Sequence, residues 1–138
     1  MPRRSTPRVT RLPEPHGPGT PPKIESAPGR AARTLDPVIH ERLRLAIMST
    51  LAVNPAVTFT DLKRSLGMTD GNLSVHARRL EEVGYLAKSK VPVGDEVRTE
   101  YRLTPAGRRA LHEYLATLDT VVGGVRSLLL ASVSFPSR

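Results

Sequence analysis

Apolar residues recur every four positions between 37 and 53. Ile39, Leu43, Ile47 and Leu51 form one stripe, flanked by Leu45, Ala46 and Met48, and this spacing predicts a helix with one buried face. Pro37 suits its first turn, Asp36 precedes it as N-cap, and Asn54-Pro55 stops it. Val57, Thr58 and Phe59 supply one short strand. Thr60-Asp61 opens a second helix that turns Leu62 and Leu66 inward and ends at Gly67. A third helix is expected over 70–83, with Thr69 as N-cap and Gly84 closing it. Its wheel sets Leu73, His76, Ala77, Leu80 and Val83 on one side. Gly71, Ser74, Val75, Arg78, Arg79 and Glu82 fall on the other. A strand over 85–91, a tip over 92–96 containing Gly94-Asp95, and a returning strand over 97–103 follow. Thr104-Pro105 caps a fourth helix with Leu111, Leu115 and Leu118 on its buried stripe. Gly123-Gly124 is expected to interrupt that helix before a last apolar segment over 125–133.

The order is helix, short strand, helix, helix, strand, strand, helix. This predicts a mainly α fold with a small β-hairpin, an α+β winged helix-turn-helix. In that fold the second helix braces the third, whose outer face suits a major groove, and the hairpin over 86–103 reaches a neighbouring groove or backbone.

The 138 residues suffice for one domain, and they carry 21 Lys plus Arg against 13 Asp plus Glu, a formal net charge of +8. Residues 1–34 hold eight of the 13 prolines and seven basic residues against two acidic ones. With Val9, Leu12 and Ile24 as nearly its only large apolar side chains, that stretch reads as a disordered, basic, Pro-rich arm. Residues 35–120 read as the winged-helix domain, and 121–138 as an apolar helix or tail. The excess of positive charge favours a polyanion, with double-stranded DNA ahead of anionic membranes and acidic proteins. The chain has no cysteine, which excludes disulfides, thiolate metal sites and thiol redox chemistry. No uninterrupted apolar run reaches the roughly 18 residues of a membrane span. The basic N-terminus lacks the apolar core of a secretory signal, so a cytoplasmic, non-membrane protein is expected.

Candidate chemistry follows from the third helix. Thr69, Asn72, Ser74 and Val75 lie early on it, with Arg78 and Arg79 one turn later. Asn reads adenine bidentately, Arg reads guanine or holds phosphate, and Val packs on a thymine methyl. Arg78 and Arg79 also suit a solvated pairing with Glu81 and Glu82. Asp70 opposes phosphate but suits the positive helix N-terminus. In the hairpin, Lys88, Lys90, Arg98 and Arg102 face Asp95, Glu96 and Glu100 in the count of charges. Val97, Thr99, Tyr101 and Leu103 share the face expected to pack on the domain; Arg98, Glu100 and Arg102 share the other. Arg98 is the first choice for a minor-groove or phosphate contact, with Lys90 on phosphate. Pairing of Arg98 with Asp95 or Glu96 is the competing arrangement. Among the histidines, His76 is expected as a hydrogen-bonded residue at the core edge, while His40 and His112 could meet but lack a carboxylate for a metal site. There is no phosphate-cradling Gly-rich loop, G-x-S-x-G or H-E-x-x-H, so neither catalysis nor a cofactor is expected.

Residues 35–120 resemble the winged-helix regulators related to the MarR and ArsR families. The likeness is carried by Gly71-Asn72-Leu73-Ser74 with His76, then Leu80-Glu81-Glu82 with Gly84-Tyr85, then Thr99, Tyr101, Leu103, Thr104, Gly107 and Arg108. It is strongest for the short MarR-like group with a GNLS-x-H recognition helix. The resemblance implies a homodimeric, sequence-specific DNA-binding regulator, commonly a repressor, with Asn72, Ser74, Val75 and Arg78 at recognition positions and Arg98 in the wing. Ala77 departs from the larger aliphatic usual there, and the Pro-rich arm lies outside the family's core. The apolar positions Val121, Val122, Val125, Leu128, Leu129 and Leu130 also depart, and are read with the first helix as a dimer surface. Two other readings compete: a protein-interaction module on the same scaffold, and a ligand-responsive sensor whose effector pocket nothing in the sequence nominates.

Overall fold

A computed structural model describes residues 23–133. The elements run α1 (Ala27–Ala32), α2 (Arg42–Ala52), β1 (Val57–Thr58), α3 (Phe59–Leu66), α4 (Asp70–Glu82), β2 (Leu86–Val93), β3 (Glu96–Leu103) and α5 (Pro105–Val133). The expected winged helix-turn-helix is present. β3 lies in the middle of a three-stranded antiparallel sheet, ordered β1-β3-β2. Ile39, Ile47, Met48, Leu51, Leu62, Leu73 and Leu80 are fully buried between the helices and this sheet, joined by Tyr101, Leu103, Leu111 and Tyr114.

Four expectations need correction. The first long helix begins at Arg42, not Pro37. Asp36 Oδ1 instead accepts from the backbone N–H groups of Val38 (2.8 Å) and Ile39 (3.4 Å), closing a turn that buries Ile39. Glu41 then caps α2, its Oε1 accepting from Leu43 N and Arg44 N at 3.0 and 2.8 Å. The arm expected to be disordered over 1–34 contains α1, with Pro28 in its first turn; the rest of that expectation falls on 1–22, outside the described residues.

The fourth helix passes through Gly123-Gly124 without a break. Glycine inside a helix costs about 1 kcal/mol relative to alanine, too little to stop a helix extending on both sides. At Gly124 the missing side chain has a use, because a Cβ there would stand 3.0 Å from Pro28 Cγ of α1. By length and composition α5 could cross a membrane, its most apolar window having a mean hydropathy of 1.3. Its first turns, however, belong to the core through Leu111 and Tyr114.

The hairpin tip is shorter than expected. Val93 pairs with Glu96, so Gly94 (φ 63°) and Asp95 alone make the turn, and Pro92 lies inside β2 opposite Val97. Proline is tolerated there because β2 is an edge strand whose outer N–H groups have no ladder partner to lose.

Candidate nucleic-acid interface

The helix-turn-helix is set by local capping. Thr58 Oγ1 accepts from Asp61 N and starts α3, while Gly67 in the left-handed region (φ 62°) ends it. Thr69 Oγ1 accepts from Asn72 N at 3.1 Å and starts α4, as the sequence predicts. Thr69 thus accepts in the cap and keeps its O–H donor for a phosphate. Lys63 Nζ of α3 stands 2.8 Å from Asp70 Oδ1, so the acid at the head of α4 is offset by a lysine from the bracing helix.

Leu73, Ala77 and Leu80 bury the inner face of α4. Asn72, Ser74, Val75, Arg78 and Arg79 are exposed, and Ser74, Val75, Arg78, Arg79 and Glu82 line a shallow recess on the outer face. Val75 is 65% exposed, an apolar group left in water at the centre of that face. Arg79 lies 3.8 Å from Glu82, whereas the Arg78 side chain makes no hydrogen bond or ion pair among the described residues. Of the two arginines, Arg78 is therefore the one free to meet a new acceptor.

The wing separates two residues that the sequence grouped. Lys90 pairs with Thr99 and Arg98 with Val91, and residues directly opposite share a face. Lys90 hence lies on the face continuous with Tyr101 and the core, and Arg98 on the reverse. Lys90 Nζ donates to Thr99 Oγ1 at 3.2 Å. Arg98 donates from Nε and Nη2 to Glu96 Oε1 at 3.2 and 3.1 Å, and Arg102 Nη2 donates to Glu100 at 2.8 Å. The reverse face is thus an alternation of acid and base that neutralises itself. Val97, expected to pack on the domain, is 67% exposed because the hairpin projects past the core.

His76 lies at the core edge as expected, with Nδ1 3.2 Å from Arg44 Nη1 and 3.6 Å from Glu41 Oε1. Burial pushes the Glu41 carboxyl up, but the N–H groups of Arg44 and Leu43, with His76 and the Arg44 charge, outweigh it and hold it below its ordinary value. His40 does not meet His112; its Nδ1 is 2.7 Å from Tyr114 Oη. Among the described residues no group of three or more potential metal ligands occurs.

Two contacts around Tyr85 escape sequence reasoning. The Tyr85 phenol donates to Asp36 Oδ2 at 2.5 Å, and that bond, with burial and the nearby carboxylates, pushes its pKa up to about 12. The Tyr85 carbonyl accepts from Thr104 N at 3.1 Å, and Thr104 Oγ1 donates to Gly84 O while accepting from Gly107 N. Gly107 packs directly on that carbonyl, so the turn after α4 is pinned to the start of α5. The T-x-x-G spacing was the signal for this contact; for the Asp36–Tyr85 bond, spanning 49 positions, there was none.

The winged helix DNA-binding domain family matches residues 43–122. The uncharacterized protein MJ0432 of Methanocaldococcus jannaschii is 32% identical over 78 residues, 56% of this chain and 85% of that protein. Among solved structures, a transcriptional regulator homologue from Pyrococcus horikoshii OT3 is 28% identical with a TM-score of 0.63, over 70% of this chain and 94% of that one. A MarR-family transcriptional regulator from Enterococcus faecalis V583 is 25% identical with a TM-score of 0.56, over 75% and 92%. The chain belongs to the winged helix DNA-binding domain family, as a DNA-binding regulator.

Proposed function

We propose that the chain is a homodimeric, sequence-specific transcriptional regulator of the cytoplasm that represses by occupying its site. The observation that carries this reading is the outer face of α4. Asn72, Ser74, Val75 and an unpaired Arg78 stand exposed on a helix whose other face is buried and whose leading acid is matched by Lys63. Asn72, Ser74 and Val75 read base edges, with Arg78, Arg79 and Thr69 beside them on the backbone; Lys90 and Arg98, on opposite wing faces, reach the two walls of one groove. Repression is the mode that the MarR-like resemblance implies.

Dimerisation is supported by the distal half of α5. Val121, Val122, Val125, Leu129 and Leu130 line one apolar groove with Arg126, and Leu129 and Leu130 are 59% and 62% exposed. A second copy covering this face would pair two α4 helices about one DNA turn apart. The same face also suits a different protein partner, the interaction-module reading.

Binding of the full chain to a duplex from its own upstream region, against scrambled competitor, tests the function. Competitor-resistant binding is expected, with the bound species containing two chains. Leu129→Asp is expected to give monomers in sedimentation and to weaken specific binding at least tenfold, since each half-site is then bound alone. Loss of dimer with undiminished specific affinity removes the homodimer from the mechanism; weak binding abolished by competitor favours the interaction module.

A further inference from the structure

We propose that residues 36–44 position the recognition helix α4 for base reading, holding it at two points: Asp36 through Tyr85, just past its C-terminus, and Arg44 through His76, at its middle. The inference rests on the DNA reading above and names positioning residues that touch no DNA.

The need for such a device comes from the inner face of α4. Leu73, Ala77 and Leu80 supply burial, but apolar contacts are non-directional, and Ala77 offers little shape to key the helix against rotation. Hydrogen bonds weaken steeply when tilted or stretched, so they fix what burial leaves free. Side chains extend about 5–6 Å from a helix axis, so a rotation of about 10° moves their tips by about 1 Å. Bidentate base contacts do not survive such a shift.

Both holding points end on a segment that is itself fixed. Asp36 offers Oδ2 to the Tyr85 phenol while Oδ1 is bound by the N–H groups of Val38 and Ile39, which orients the carboxylate. Ile39, fully buried, anchors that turn in the core. Arg44 Nε donates to Val38 O at 2.5 Å, leaving Nη1 directed at His76 Nδ1. Glu41, beside the same nitrogen, is committed to capping α2. Ser74, Val75 and Arg78 project from other faces of α4, and Asn72, one turn before His76, stands exposed, so the two bonds set where those groups point without occupying them.

The test uses the full chain and a duplex that the unaltered chain enriches from a randomised library, with a scrambled duplex as comparison. The readout is the ratio of the two affinities, because loss of folded protein lowers both alike. Tyr85→Phe deletes one hydroxyl and is expected to reduce the ratio about tenfold, the scale of a charge-assisted hydrogen bond, while the salt dependence stays unchanged. His76→Ala is expected to do the same, and His76→Asn, whose side-chain oxygen can take the place of Nδ1, to restore most of the ratio. Unchanged ratios in both Tyr85→Phe and His76→Ala overturn the inference and leave the DNA reading intact. If the unaltered chain enriches no sequence, the DNA reading fails and this inference fails with it.

Discussion

Raising salt from about 50 to 200 mM is expected to weaken specific DNA binding by about 10³–10⁵-fold, because each phosphate neutralised releases a condensed counterion and steepens the slope by about 0.9. Arg78, Arg79, Lys90 and Arg98 are the proposed contributors in each protomer, and a dimer doubles them. Three of these four already have protein partners: Arg79 with Glu82, Lys90 with Thr99 and Arg98 with Glu96. The two exposed ion pairs are worth only about 0–1 kcal/mol, the exposed Lys90–Thr99 hydrogen bond is comparably weak, and all three exchange readily for phosphate. Arg78 has no partner to leave, so Arg78→Ala is expected to give the largest single loss, flattening the slope by about one contact per protomer. Asn72→Ala should behave oppositely, keeping the slope but losing about 1–3 kcal/mol of discrimination at one base pair. Binding titrations across salt separate the two, and a nearly flat response in the unaltered chain overturns the phosphate-binding assignment.

Gly107→Ala is expected to damage the fold more than any other glycine-to-alanine change among the described residues. A Cβ at this position would stand 2.1 Å from the Tyr85 carbonyl oxygen, 2.9 Å from its carbon and 3.0 Å from its Cα. All three are backbone atoms, so no side chain can turn aside. The carbonyl is also committed to Thr104 N, and moving it strains the junction between α4, the wing and α5. Overpacking of this kind costs about 1–3 kcal/mol or more. For a domain of this size each kcal/mol lowers the melting temperature by about 4–8 °C. Gly71→Ala supplies the contrast: its Cβ meets nothing within 4 Å, and alanine is the better helix former. Thermal melts should therefore show a large fall for the first substitution and no fall, or a small rise, for the second. Equal melting temperatures for Gly107→Ala and the unaltered chain refute the close approach.

The helices of the domain were legible because their signals are local. Four-residue apolar spacing, Thr69 as cap, and Gly67 and Gly84 after the second and third helices are each decided within a turn or two of chain. The start of α2 was misread for the opposite reason: Asp36 and Pro37 make an acceptable helix start, and only burial of Ile39 against distant elements favours a turn. Gly123-Gly124 looked like a break because the cost of glycine is local, while the Pro28 contact that uses Gly124 comes from 96 positions away. At the interface, the alternation of β3 correctly divided its own side chains. It could not place Lys90 relative to Arg98, since that depends on the register between strands, which the two-residue tip fixes. The exposed groups of α4 were readable from its wheel. Their partners were not, because the Lys63–Asp70 and Arg44–His76 contacts join separate elements.

The uninterrupted course of α5 bears on the spacing of DNA sites. Its 29 residues form a rod about 43 Å long, rooted in the core by Leu111 and Tyr114. In the proposed dimer the two reading heads would be joined by stiff beams instead of tethers. Half-sites moved along the duplex would then be resisted by the elasticity of a helix, and the protein would act as a caliper for operator length, with Gly123-Gly124 its most compliant joint.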